Sequence, residues 1–317
     1  MILKHSAHPF DFWILPLALV LIALVAPVSG ATYSDNDFVG RGYGRFAAYN
    51  YELKPEMEDL VNYGLDRLIK EHTRVFGRNV RKDFTVRYRI FGRFEDYAAY
   101  SLARYKKEVT KNLLGFYSPR TREIVTWRQQ QTWLLVPTLL HEGSHAIMDE
   151  MFGQLPFWMI EGSADWFGEP AWAEGTTLKK DKQARWVRLN KLREEGKLPT
   201  LVKYLPASDY DAWAKMFDGN VAQGYDVGWS LFDFFMSNPQ ATKFMAGIVT
   251  GANTEQSGDP SLIFAKYIHA QWPGGLPMFE KGWHSWIKLK AEGKAPPSTT
   301  TPSTPAKTVP KRSLLDP

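Results

Sequence analysis

Residues 136–167 read VPTLLHEGSHAIMDEMFGQLPFWMIEGSADWF, and two helices joined by a turn are written into that run. Val136-Pro137 suits a first helical turn, where the missing proline N–H is no loss, and Gly153 suits a helix end. Leu140, Ile147 and Met151 supply a buried stripe. His141 and His145 stand four residues apart, so on a helix both imidazoles project from one face, one turn apart, as two sites of a tetrahedral zinc require. Glu142 is one residue round from His141, where a carboxylate reaches a water on the metal more easily than the metal itself. HExxH arises by chance in a chain of this length at roughly the one-per-cent level, so the flanking sequence has to carry the argument.

That flank provides a third ligand. Glu161 lies 16 residues after His145 on a second helix, reached through Gly153 and Pro156. A carboxylate in third place leaves one coordination position open, as a catalytic site needs. Asp165, one helical turn further on, faces the same way and is placed to accept the outer N–H of a ligand histidine.

Working outward, the preceding residues read as strands and helices in alternation. Residues 31–50, with Gly40, Gly42 and Gly44, read as a polar loop. Glu56–Phe76 predicts a helix with Leu60, Tyr63, Leu65, Leu68 and Ile69 inward. Phe84–Phe91 alternates strictly and predicts a strand with one wet face; Glu95–Val109 predicts a helix; Gly115–Trp127 predicts a hairpin turning at 118–121. Beyond the histidine helix the chain reads as helical at about 159–168, 180–195, 224–237, 240–249, 261–270 and 278–290. In 179–197 the many Lys and Arg residues read as a solvated face, with Trp186, Leu189 and Leu192 inward. Strands first and helices afterwards predict an α+β fold: an N-terminal helix and a small mixed sheet, then a mainly helical lobe, with the active-site helix between.

The two ends differ from the body. Lys4, the apolar run Phe12–Ala26 and the small residues around Val28 and Gly30 make up the three-part pattern of a secretory signal peptide. Residues 1–30 are therefore expected to be removed and the protein secreted or periplasmic; an uncleaved anchor is the alternative. The last 24 residues hold six Pro and eight Ser or Thr and predict a disordered tail over 293–317. The formal net charge is +5, but Lys294, Lys307, Lys311 and Arg312 against Asp316 put three of those charges in the tail. The remainder is too small a basic footprint for nucleic acid, which is rejected as a partner. With no Cys, disulfides, thiolate catalysis and Cys-ligated metal are excluded.

HEGSHAIM followed by FWMIEGSADWF resembles the HExxH…WxxEGxA(D/E) pattern of gluzincin-type zinc metallopeptidases, above all the bacterial peptidase-MA-like families, the one labelled DUF1570 among them. Gly115-Phe-Tyr is similar to the family segment leading into the edge strand above the cleft, Gln223–Leu231 to its Y…WSL helix, and Trp283-His-Ser-Trp286 to its terminal stretch. Residues 55–290 fit; 31–54 do not. The resemblance implies one zinc held by His141, His145 and Glu161, Glu142 as general base, Asp165 behind a ligand histidine, and Tyr225 as a donor to the developing oxyanion. His269 and His284 are other conceivable donors, more often structural in such settings. No GxMEN-like segment is present, which disfavours an enzyme that trims N-termini.

The expectation is an exported, monomeric zinc metallopeptidase with a zincin-like domain over 55–292, an N-terminal extension over 31–54, and peptide or protein substrates. Two alternatives stand beside it. One is a non-catalytic cell-envelope protein on the same scaffold, associated through its tail; the other is a zinc amidase acting on peptidoglycan.

Overall fold

A computed structural model describes residues 33–128, 135–168, 177–237, 239–254 and 259–294. The signal-peptide and tail expectations therefore fall outside the described residues, apart from Gly293 and Lys294 at the start of the tail. Among those described, no helix is long and apolar enough to cross a membrane.

The fold is mixed α+β. Strands β1 (Gly44–Tyr49), β2 (Val86–Phe91), β3 (Gly115–Ser118) and β4 (Glu123–Trp127) form one sheet in the order β1-β2-β4-β3. β1, β2 and β4 run parallel, and β3 returns antiparallel on the outside of β4. Helices α1 (Pro55–Phe76) and α2 (Phe94–Tyr105) provide the crossovers that parallel pairing demands. The remainder is helical: α3 (Leu135–Phe152), α4 (Phe157–Phe167), α5 (Thr177–Glu194), α6 (Leu201–Tyr204), α7 (Tyr210–Met216), α8 (Val221–Phe235), α9 (Pro239–Thr254), α10 (Pro260–Gln271) and α11 (Gly275–Ala291).

Alternation along the strands assigns the two faces. Phe46, Val86, Tyr88, Ile90 and Ile124 join the main core with Leu65 and Leu68 of α1 and Leu139 and Ile147 of α3. The opposite face, covered by α2, carries Arg89 and Glu123, both 1 % exposed. The expected wet face of β2 is therefore wrong. Arg89 donates to Glu123 Oε2 from Nε and Nη2, at 3.2 Å each, and Tyr100 donates to Glu123 Oε1 at 2.7 Å. A guanidinium closed on one carboxylate oxygen, with tyrosine on the other, lets charges sit where alternation alone suggests solvent.

Three other expectations change. Residues 31–50 are not all loop: Gly44–Tyr49 packs onto β2 as an edge strand, burying Phe46 and Ala47. Glycines before a six-residue strand hid it. On α1 the buried face is Val61, Leu65, Leu68, Ile69, His72 and Val75, while Leu60 and Tyr63 are exposed. α2 stops four residues early because Lys106 turns left-handed, with φ of 56°, and closes the helix onto Leu102.

Helix α3 lies between the two halves, packed against α1 and the sheet on one side and against α4 on the other. α4 in turn crosses α8 at very close range. A Cβ on Gly162 would stand 2.4 Å from the backbone oxygen of Gly228, so only glycine permits the approach.

Candidate metal centre

On α3 the apolar residues Leu139, Leu140, Ile147 and Met151 are buried to 1 % or less, leaving the histidines on a separate face. The helix ends at Gly153, whose φ of 69° is left-handed and whose N–H reaches Asp149 O at 2.8 Å. Ser144, inside the HEGSH run, faces away from the histidines and meets His72 Nε2 of α1 at 3.2 Å. His72 Nδ1 lies 2.7 Å from Leu68 O, which can only accept, so Nδ1 carries the proton and the serine donates to Nε2. Burial lowers the His72 pKa to about 4, and the ring stays neutral.

Glu161 enters from α4. Its Oε2 lies 3.5 Å from His141 Nε2 and 3.7 Å from His145 Nε2, and one ligand atom from each residue falls within 4.8 Å of the others. These three residues form a group able to hold a metal ion. A tetrahedral ion with bonds near 2.05 Å spaces its donors about 3.3 Å apart, close to what is found. Glu161 Oε2 is also buried, with no hydrogen-bond partner among the described residues. An anionic oxygen so placed, beside two imidazole nitrogens, is chemically fitted to a divalent cation. Burial opposes the Glu161 charge, but His145, His141 and a hydrogen bond from Tyr210 outweigh it and lower the pKa.

His141 is oriented from behind. Its Nδ1 lies 3.2 Å from Asp165 Oδ1, which assigns the proton to Nδ1 and turns the Nε2 lone pair toward Glu161 and His145. Burial works against charge on this ring, yet Asp165, Glu161 and Glu142 together raise its pKa well above the ordinary imidazole value in the metal-free chain, so a metal ion taken up at Nε2 would displace a proton from it. Asp165 stays ionised: burial resists, but His141 and Arg185 lower its pKa to about 2. Arg185 of α5 donates to Asp165 Oδ2 and, through Nε at 2.8 Å, to Asp226 of α8. The basic run of α5 is therefore not simply a solvated face. Two of its arginines, Arg185 and Arg188, pair with the buried carboxylate of Asp226.

Glu142 is 8 % exposed, and its Oε2 lies 4.0 Å from His145 Nε2. Among the described residues, Tyr225 has no direct hydrogen bond to His141, His145 or Glu161. It donates at 3.0 Å to the hydroxyl of Tyr210, which donates at 2.8 Å to Glu161 Oε1. Burial and the Glu161 charge raise the pKa of both phenols, so both remain donors. Tyr210 escaped the sequence reading because it opens α7, a seven-residue helix too short for a periodic signal. Its Asp209 N-cap, accepting from Ala212 N at 2.8 Å, was the one available clue. Lys107 was also missed. Its ammonium lies 4.2 Å over the Phe116 ring and feels the charges of Glu142 and Glu161, while burial lowers its pKa. His269 and His284 take no part in the described metal-ligand group.

His145 and Glu161 open onto a cleft of about 400 Å³ lined also by Tyr117, Met148, Phe157 and Ile160. Tyr117 ties β3 to α3 by donating to Asp149 at 2.8 Å. No family model matches the chain, and no curated protein matches it.

Proposed function

We propose that the chain is a zinc-dependent metallopeptidase of the gluzincin type, built on a zincin-like domain, exported, and acting on peptides or proteins. One observation carries this reading: Glu161 Oε2, buried and without a hydrogen-bond partner among the described residues, converges with the Nε2 atoms of His141 and His145, with Glu142 beside them. When bound there, zinc supplies Lewis acidity toward a carbonyl oxygen and toward water. Glu142 accepts a proton from water and returns it to the leaving amine. Asp165 holds His141 in the Nδ1–H tautomer throughout. Tyr210 keeps its proton on Glu161 Oε1, and Tyr225, whose O–H rests on Tyr210, would turn that donor to the developing oxyanion. β3 is the outer strand of the sheet and its Tyr117 lines the cleft, an arrangement suited to an extended substrate.

Glu142→Gln tests the reading. It should keep its zinc and lose about 10²–10⁴-fold in hydrolysis of a proteome-derived peptide library. Activity within tenfold of the wild type would remove Glu142 as the base. Isolated cell wall digested in parallel with casein separates a peptidase from a peptidoglycan amidase.

A further inference from the structure

We infer that Arg185, braced by Asp226, is a positioning residue that fixes the Asp165 carboxylate against His141 and so sets the affinity of the metal centre. The inference rests on the metal reading above. The two oxygens of Asp165 are divided between two partners. Oδ1 meets His141 Nδ1 at 3.2 Å, and Oδ2 takes the Arg185 Nη2 donor. The same guanidinium turns its Nε–H to Asp226 Oδ1 at 2.8 Å. Asp226 is held from its other side by Arg188, at 2.9 Å to Oδ2 and 3.1 Å to Oδ1. The Arg185 side chain is 19 % exposed and its guanidinium carbon sits 4.9 Å over the Trp229 ring, so neither end of the fork is free to swing.

The chain Arg188–Asp226–Arg185–Asp165–His141 thus runs through α5, α8, α4 and α3 to a metal-facing nitrogen. Arginine suits the middle position because its rigid fork presents separate N–H groups to two carboxylates, whereas a lysine ammonium is a point charge on a flexible stem. Without Arg185, Asp165 loses the partner that fixes its rotation, and His141 loses a held tautomer. Losses of outer partners of this kind weaken metal binding by about 10–100-fold.

The test is zinc titration of the full-length chain against a chromophoric chelator at pH 7.5, with the denaturation midpoint of each metal-free variant as a folding control. Arg185→Met should bind zinc about 10–100-fold more weakly, and Arg185→Lys about fivefold more weakly. On an Asp165→Asn background, Arg185→Met should add less than twofold, because its effect passes through Asp165. Arg193→Met on the same helix, whose partners are Asn190 and Glu194, should leave the affinity unchanged. Arg185→Met within twofold of the wild type, or at full cost on the Asp165→Asn background, would overturn the inference and leave the metal centre standing. If Arg185→Met does not fold, Arg185→Lys decides: wild-type affinity overturns the inference. A wild-type chain that binds no zinc would remove both.

Discussion

Two of the polar clusters among the described residues are built on opposite terms. On the α2 side of the sheet, Arg89 and Glu123 satisfy one another: the guanidinium bonds to one carboxylate oxygen, and the hydroxyls of Tyr100 and Tyr105 bond to the other. Arg89 Nη1 also donates to Tyr49, and among the described residues none of these side-chain atoms is buried without a partner. Around α3, the Nε2 atoms of His141 and His145 and the Oε2 atom of Glu161 point at one another, and neither Glu161 Oε2 nor His145 Nδ1 has a hydrogen-bond partner among the described residues. Both clusters are buried and both carry charge. A closed set of donors and acceptors needs no further partner, whereas the convergence of His141, His145 and Glu161 could hold a metal ion.

The largest effect that tests this contrast falls on the closed cluster. Arg89→Met strands the Glu123 charge in the interior and should cost about 3–5 kcal/mol in urea unfolding, with or without metal. A loss below 1 kcal/mol would mean that water already reaches Glu123. Next is His72, which touches the HEGSH run through Ser144 yet belongs to the closed kind. Its folded pKa of about 4 is below the unfolded value, so between about pH 6.5 and 4 the unfolded chain binds a proton that the folded chain refuses. Its contribution is therefore intact above about pH 6.5 and lost on acidification, by about 3 kcal/mol at pH 4. Subtracting the urea profile of His72→Gln from that of the wild type isolates it, and parallel profiles would contradict the assignment.

The open cluster should respond to metal instead. Zinc at 100 times its Kd should stabilise the wild type by about 2.7 kcal/mol and His145→Ala not at all. Equal stabilisation of both would place the ion elsewhere. The smallest expected effects fall on the two tyrosines: Tyr210→Phe frees Glu161 Oε1 and should weaken zinc binding about tenfold. Tyr225→Phe, one hydroxyl further out, should weaken it less. A reversed order would mean that Tyr225 approaches the metal directly.

Much of the site was legible because it is local. His141, Glu142 and His145 sit on one helix, and Glu161 and Asp165 on the next, so helical periodicity alone brought them to common faces. What could not be read comes from contacts distant in sequence. Arg185 reaches Asp165 from 20 residues away, and Asp226 lies 41 beyond Arg185. A basic run with a Trp and Leu stripe looks the same whether its arginines meet water or buried carboxylates. The strand β1 was hidden by its glycines, and the dry second face of β2 by arginines that polarity assigned to solvent. Gly162 had no evident purpose in sequence until α8 was found lying against it.

The most direct test is the zinc content of the purified chain and of three variants, measured by elemental analysis after dialysis against trace metal. The account predicts one zinc per chain in the wild type and in Glu142→Gln, and none retained by His145→Ala or Glu161→Ala. A wild-type chain without zinc, or a Glu161→Ala chain that keeps a full equivalent, would contradict it.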